Sequence, residues 1–155
     1  MLDDLQKQSL RETAWIICDE YLDIEFPKIV FKRSSHMSTA TTKALAVFEE
    51  DKTPVIYIDP KIDYDPSIVF VLAHELRHIY QFFEFSSDVF TENKTSKELS
   101  TDDYNLQPLE LDANAFGMIV MQDITGCKPL FYGLSESVRK AIDKQAKRIL
   151  EDEFY

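Results

Sequence analysis

The amino-acid sequence predicts an α+β fold in which a small antiparallel sheet packs on a buried central helix, with further helices completing one domain over residues 1–155. Three observations lead there. The run Ile68-Val69-Phe70-Val71-Leu72-Ala73 continues through Gln81-Phe82-Phe83 without glycine or proline and is apolar on nearly every face, as a helix enclosed by its own protein must be. Three β-rich runs precede it, and the last two are divided by Glu50-Asp51-Lys52-Thr53-Pro54, a stretch of hairpin-loop length. With 45% hydrophobic and 12% aromatic residues, a chain of 155 residues has material for one full core, and a second domain is not expected.

Each element follows from its own pattern. Leu10, Ala14, Ile17 and Tyr21 are spaced four, three and four apart, one stripe of a helix running from Leu2 to about Tyr21. The strands are expected at residues 28–32, 44–49 and 55–59. Asp65-Pro66 reads as a helix cap followed by proline at the first helical position, which opens the central helix. Residues 86–103 are polar apart from isolated apolar anchors and read as a mobile connection or an active-site flap. Gln107-Pro108 opens the next helix, which Thr125-Gly126 closes, and Ser135-Glu136 begins a final amphipathic one. Its basic residues Arg139, Lys140, Lys144, Lys147 and Arg148 read as a solvated face.

Charge and composition exclude several classes of function. A net charge of -11 and a pI near 4.6 argue against nucleic acid as a partner, because no lysine and arginine cluster rises above the acidic background. Nor does any apolar stretch approach the roughly 18 residues of a membrane span, and the acidic, polar N-terminus is unlike a signal peptide, so a cytoplasmic protein is expected. Cys18 and Cys127 suggest no disulfide framework and read as reduced thiols. His36 lies in a polar loop and reads as solvent-exposed.

The chemistry is concentrated in His74-Glu75-Leu76-Arg77-His78. On a helix, residues four apart share one face, so both imidazoles can converge on one zinc ion while Glu75 is turned aside to act as general base. The plain alternative, two core histidines and a solvated glutamate, leaves polar rings in an apolar helix without a reason to be there. A catalytic zinc needs a third protein ligand and an open position. Glu110 is the candidate: it opens the next helix, and Ala113 and Gly117 on the same face would let that helix approach closely. An ordinary first-turn glutamate favoured by the helix dipole is the competing explanation. Asp112, two residues on, should point to the opposite side, and Asn114 is placed to hold a ligand from behind.

With His74-Glu75-x-x-His78 and Glu110-x-x-Ala113-Asn114-x-Phe116 together, the chain resembles the ImmA/IrrE family of zinc metallopeptidases, over roughly residues 54–121. The resemblance implies a compact zincin-like metallopeptidase fold and zinc held by His74, His78 and Glu110. It also implies Glu75 as base and limited proteolysis of a regulatory protein, often a repressor. Arg77 stands where the family commonly has glycine. A polypeptide is thus the expected partner. The strand at residues 55–58 is expected to pair with its backbone, and Tyr57, Tyr80, Tyr132 or His36 to assist the oxyanion. The rivals are a catalytically silent zinc-containing binding or regulatory module, against which an intact Glu75 argues, and a small-molecule zinc hydrolase.

Overall fold

A computed structural model describes residues 1–37, 39–85, 93–95 and 98–154. Helix α1 (Asp4–Ile16) is opened by Asp3, whose carboxylate accepts from the Gln6 amide at 2.7 Å while the Gln6 side chain bonds back to the Asp3 amide. The chain then continues as a π-helical turn, Ile17–Leu22. Strands β1 (Lys28–Val30), β2 (Ala44–Phe48) and β3 (Pro54–Ile58) form one sheet. Helices α2 (Ser67–Glu84), α3 (Thr101–Leu106), α4 (Pro108–Thr125) and α5 (Glu136–Glu153) complete the described elements.

The expected hairpin is present: β2 pairs antiparallel with β3, Ala46 opposite Ile56. The sheet as a whole is mixed, not antiparallel. Its order is β1-β3-β2, and β1 runs parallel to β3, Ile29 opposite Ile56. Apolar patterning gives a strand's faces and not its neighbours, and the long connection after β1 lets the chain cross β3 before β2 begins. β3 is therefore central, with Val55, Ile56 and Ile58 buried, and an edge lies at β2.

Helix α2 is the core of the molecule: Leu72, Ala73, Leu76 and Ile79 are fully buried, against α4 on one side and the sheet on another. The small residues of α4 permit this approach. A Cβ built at Gly117 would lie 2.8 Å from the Phe70 ring and 3.2 Å from the Phe70 carbonyl oxygen, so any larger residue would force Phe70 to shift. Helix α5 covers the far side of α4 through Val138, Ile142 and Ile149, and its basic residues are exposed as expected. Among the described residues the buried polar or charged side chains are Glu75, Arg77, Gln81, Glu110, Asp112 and Asn114, and all of them belong to α2 or α4. No described helix is long and apolar enough to cross a membrane, Cys18 is a buried free thiol and Cys127 an exposed one.

Candidate metal centre

Helical geometry brings the predicted ligands together. His74 and His78 lie one turn apart on α2, and their Nε2 atoms are 3.1 Å from each other. Glu110 sits in the first turn of α4 behind Pro108, where the helix dipole favours a carboxylate. Its Oε2 lies 3.4 Å from His74 Nε2 and 3.3 Å from His78 Nε2. That oxygen is buried and receives no hydrogen bond from the described residues. Three donors at the corners of a tetrahedron of radius about 2.0 to 2.1 Å are separated by about 3.3 to 3.4 Å. An orphaned carboxylate oxygen facing two imidazole nitrogens at that spacing is a ligand set, and His74, His78 and Glu110 can hold a metal ion.

The electrostatics agree. Burial works against the ionised Glu110, but the two imidazoles outweigh it and hold the carboxyl well below the usual carboxylate range. Burial likewise disfavours charge on His78, yet the adjacent Glu110 carboxylate, with Glu75 and Gln81 beyond, pushes its pKa up to about 9. Without a metal the centre is thus a proton-holding cluster, and a cation entering it displaces that proton.

Two groups around the ligands were not read from the sequence. Tyr104 donates its hydroxyl to Glu110 Oε1 at 2.7 Å, leaving Oε2 to face the imidazoles; burial and the nearby carboxylates raise the phenol's pKa. No local pattern marks a tyrosine on the short helix before α4 for this task. Gln81 approaches His78 Nδ1 at 2.8 Å, and here a signal existed: it lies three residues beyond His78, a polar residue in an apolar helix.

Other expectations are corrected. Asn114 does not bond a ligand; it donates to Asn105 at 3.1 Å and lines a cavity of about 200 Å³ beside His74 and Glu75. Asp112 does not turn away from α2. Because α4 is buried between α2 and α5, Asp112 meets Arg77 at 2.7 Å, Gln81 at 2.9 Å and Gln145 at 3.2 Å. Arg77 is buried, and its guanidinium also lies over the rings of Tyr80 and Phe116. The strand at residues 55–58 is paired on both sides and cannot take a further strand. Tyr57 bonds Glu49, Tyr80 lies under Arg77, and Tyr132 and His36 are exposed; none of the four lines the centre.

Glu75 lies between the centre and the edge strand, its Oε2 accepting from the Ala46 amide of β2 at 2.8 Å. A second cavity of about 300 Å³ also borders Glu75, lined by Leu45, Phe48, Tyr104 and the three candidate ligands. His74 and Glu75 line both cavities, and β2 walls both, through Ala44 in the smaller and through Leu45, Ala46 and Phe48 in the larger. Compared with known proteins, the chain matches no family model, no curated protein sequence and no solved structure.

Proposed function

We propose that the chain is a zinc-dependent peptidase of the ImmA/IrrE kind, which the two sequence motifs resemble. The observation that carries the proposal is the convergence of His74 Nε2, His78 Nε2 and the unbonded Glu110 Oε2, with Glu75 beside them at the edge of β2. Two imidazoles and one carboxylate are the donor set of a catalytic zinc site. Bound there, zinc would supply Lewis acidity, polarising a peptide carbonyl and acidifying water. Tyr104 keeps Glu110 turned toward the imidazoles through its bond to Oε1. Glu75 serves as the base, taking a proton from the attacking water and returning it to the leaving amine.

An extended polypeptide fits this site better than a small molecule. The two cavities share His74 and Glu75 and have β2 as a common wall, so an extended chain lying along β2 has room for side chains in both. The resemblance directs the proposal to limited proteolysis of a regulatory protein, a repressor among the candidates. One observation favours the rival, a zinc-containing module without activity: the Glu75 carboxylate is already tied to the Ala46 amide. Glu75→Gln separates the two readings. The variant should bind zinc within about threefold of the parent, since Glu75 is not a ligand, and cleave a peptide library about 10²- to 10⁴-fold more slowly. Zinc bound by a parent that cleaves nothing would leave the silent module, and a parent without zinc by elemental analysis would end both readings.

A further inference from the structure

The polar chain behind His78 can be read in only one direction. Arg77 has donors alone: Nε reaches Asp112 Oδ2 at 2.7 Å, Nη2 reaches Asp112 Oδ1 at 3.0 Å, and Nη1 and Nη2 reach Glu153 at 3.0 and 2.8 Å. Facing that guanidinium, Asp112 has acceptors alone, and its Oδ2 also takes a hydrogen from Gln81 Nε2 at 2.9 Å. Gln81, fully buried, gives its other amide hydrogen to the Leu109 carbonyl at 2.9 Å. Both hydrogens are committed. Reversing the amide would set its oxygen against a carboxylate and a carbonyl with no hydrogen between them, an arrangement a dry interior penalises heavily. Gln81 Oε1 is what remains to meet His78 Nδ1, 2.8 Å away. An amide oxygen only accepts, so a hydrogen belongs to Nδ1, and Nε2, protonated or not, is directed at Glu110 and His74.

We propose that Gln81 is a positioning residue: it fixes His78 as the Nδ1–H tautomer and aims Nε2 at the metal centre, and is itself held in that sense by Asp112 and Arg77. The order of control runs from the α5 carboxylate Glu153 through Arg77, Asp112 and Gln81 to the ligand. Gln81 touches neither metal nor substrate in this scheme; its effect passes entirely through the orientation and tautomer of His78.

The test uses the full-length protein, labelled with ¹⁵N in histidine. In the metal-free parent, the proton on His78 Nδ1 should give a slowly exchanging nuclear magnetic resonance signal whether or not Nε2 is also protonated, and Gln81→Met should abolish it. A parent without that protected Nδ1 proton overturns the proposal. Zinc affinity, read against a competing chelator, should fall by about 10- to 100-fold in Gln81→Met and return to within about threefold of the parent in Gln81→Glu. The carboxylate introduced in Gln81→Glu can share one proton with Asp112 and still accept from Nδ1. A folded Gln81→Met that binds zinc like the parent, or Gln81→Glu failing to recover what Gln81→Met lost, overturns the positioning role. The affinity measurement rests on the metal-site reading, whereas the proton signal does not. A parent that takes up no zinc would therefore end the proposed function and leave the tautomer to be decided by resonance.

Discussion

The two imidazoles present the same atom to the same point and are held in opposite ways. Behind His78 lies a buried chain of polar groups, each bonded to the next, that reaches from Gln81 to α5. Behind His74 there is none among the described residues: its Nδ1 is buried without a partner there, and the ring is flanked by Phe70, 5.9 Å away between centroids, and by the cavity at Asn114. Hydrogen bonds fix direction, whereas packing fixes only position. One imidazole is therefore set in direction before any ligand arrives, and the one with freedom left, His74, is the one that borders both cavities. The hydrogen-bonded support thus lies behind His78, whereas His74 borders both cavities.

The strongest way to break this comparison is to remove one carboxylate from each role. Glu110→Ala should weaken zinc binding by at least about tenfold, with Asp112→Ala losing less, as expected of a group outside the ligands. Stability should rank the other way. Asp112→Ala leaves the buried Arg77 guanidinium with Glu153 as its remaining carboxylate, and breaking a buried pair costs about 3 to 5 kcal/mol. Chelator competition and urea unfolding on both variants decide the matter; a larger zinc loss in Asp112→Ala would exchange their roles.

A second test sharpens the contrast through protons. Without metal, His78 is raised from 6.5 to about 9, so the folded state gains stability from its charged form that is complete below pH 6.5 and is lost as pH rises through about 9. The thermal midpoint of the metal-free protein should fall across that window. Zinc must displace the same proton, so affinity should rise about tenfold per pH unit up to about 9. Calorimetry at pH 7 in buffers of different ionisation heat should count about one proton released per ion by His78. A flat affinity over this range would contradict the raised pKa.

The smallest expected effect lies on the packed side. Gly117→Ala places a methyl 2.8 Å from the Phe70 ring, and overpacking of this kind costs about 1 to 3 kcal/mol. Gly117 is not a ligand and makes its contact with Phe70, so the melting temperature should drop while zinc affinity changes less than in Glu110→Ala. Unchanged stability would mean that α2 and α4 are not in the contact described.

What was legible in the sequence was what repeats along one helix. Four-residue spacing put His74 and His78 on one face, and Ala113 with Gly117 announced the close approach that brings Glu110 to them. What was not legible depended on neighbours distant in sequence. Residues two apart on a helix point in different directions, yet α4 is enclosed, so Asp112 still found Arg77 across the interface. The parallel pairing of β1 was hidden for the same reason, since alternation of apolar residues is blind to strand order. Tyr104 reaches Glu110 across a turn of six residues that no periodicity describes.

The bond from Arg77 to Glu153 spans 76 residues of chain, and this sets an order of events. At about 5 to 20 residues per second a ribosome needs roughly 4 to 15 s to travel that far. His74, His78 and Glu110 have all been synthesised well before the carboxylate that completes their outer support. The nascent chain thus passes through an interval in which it owns every ligand and lacks the clamp that aims one of them.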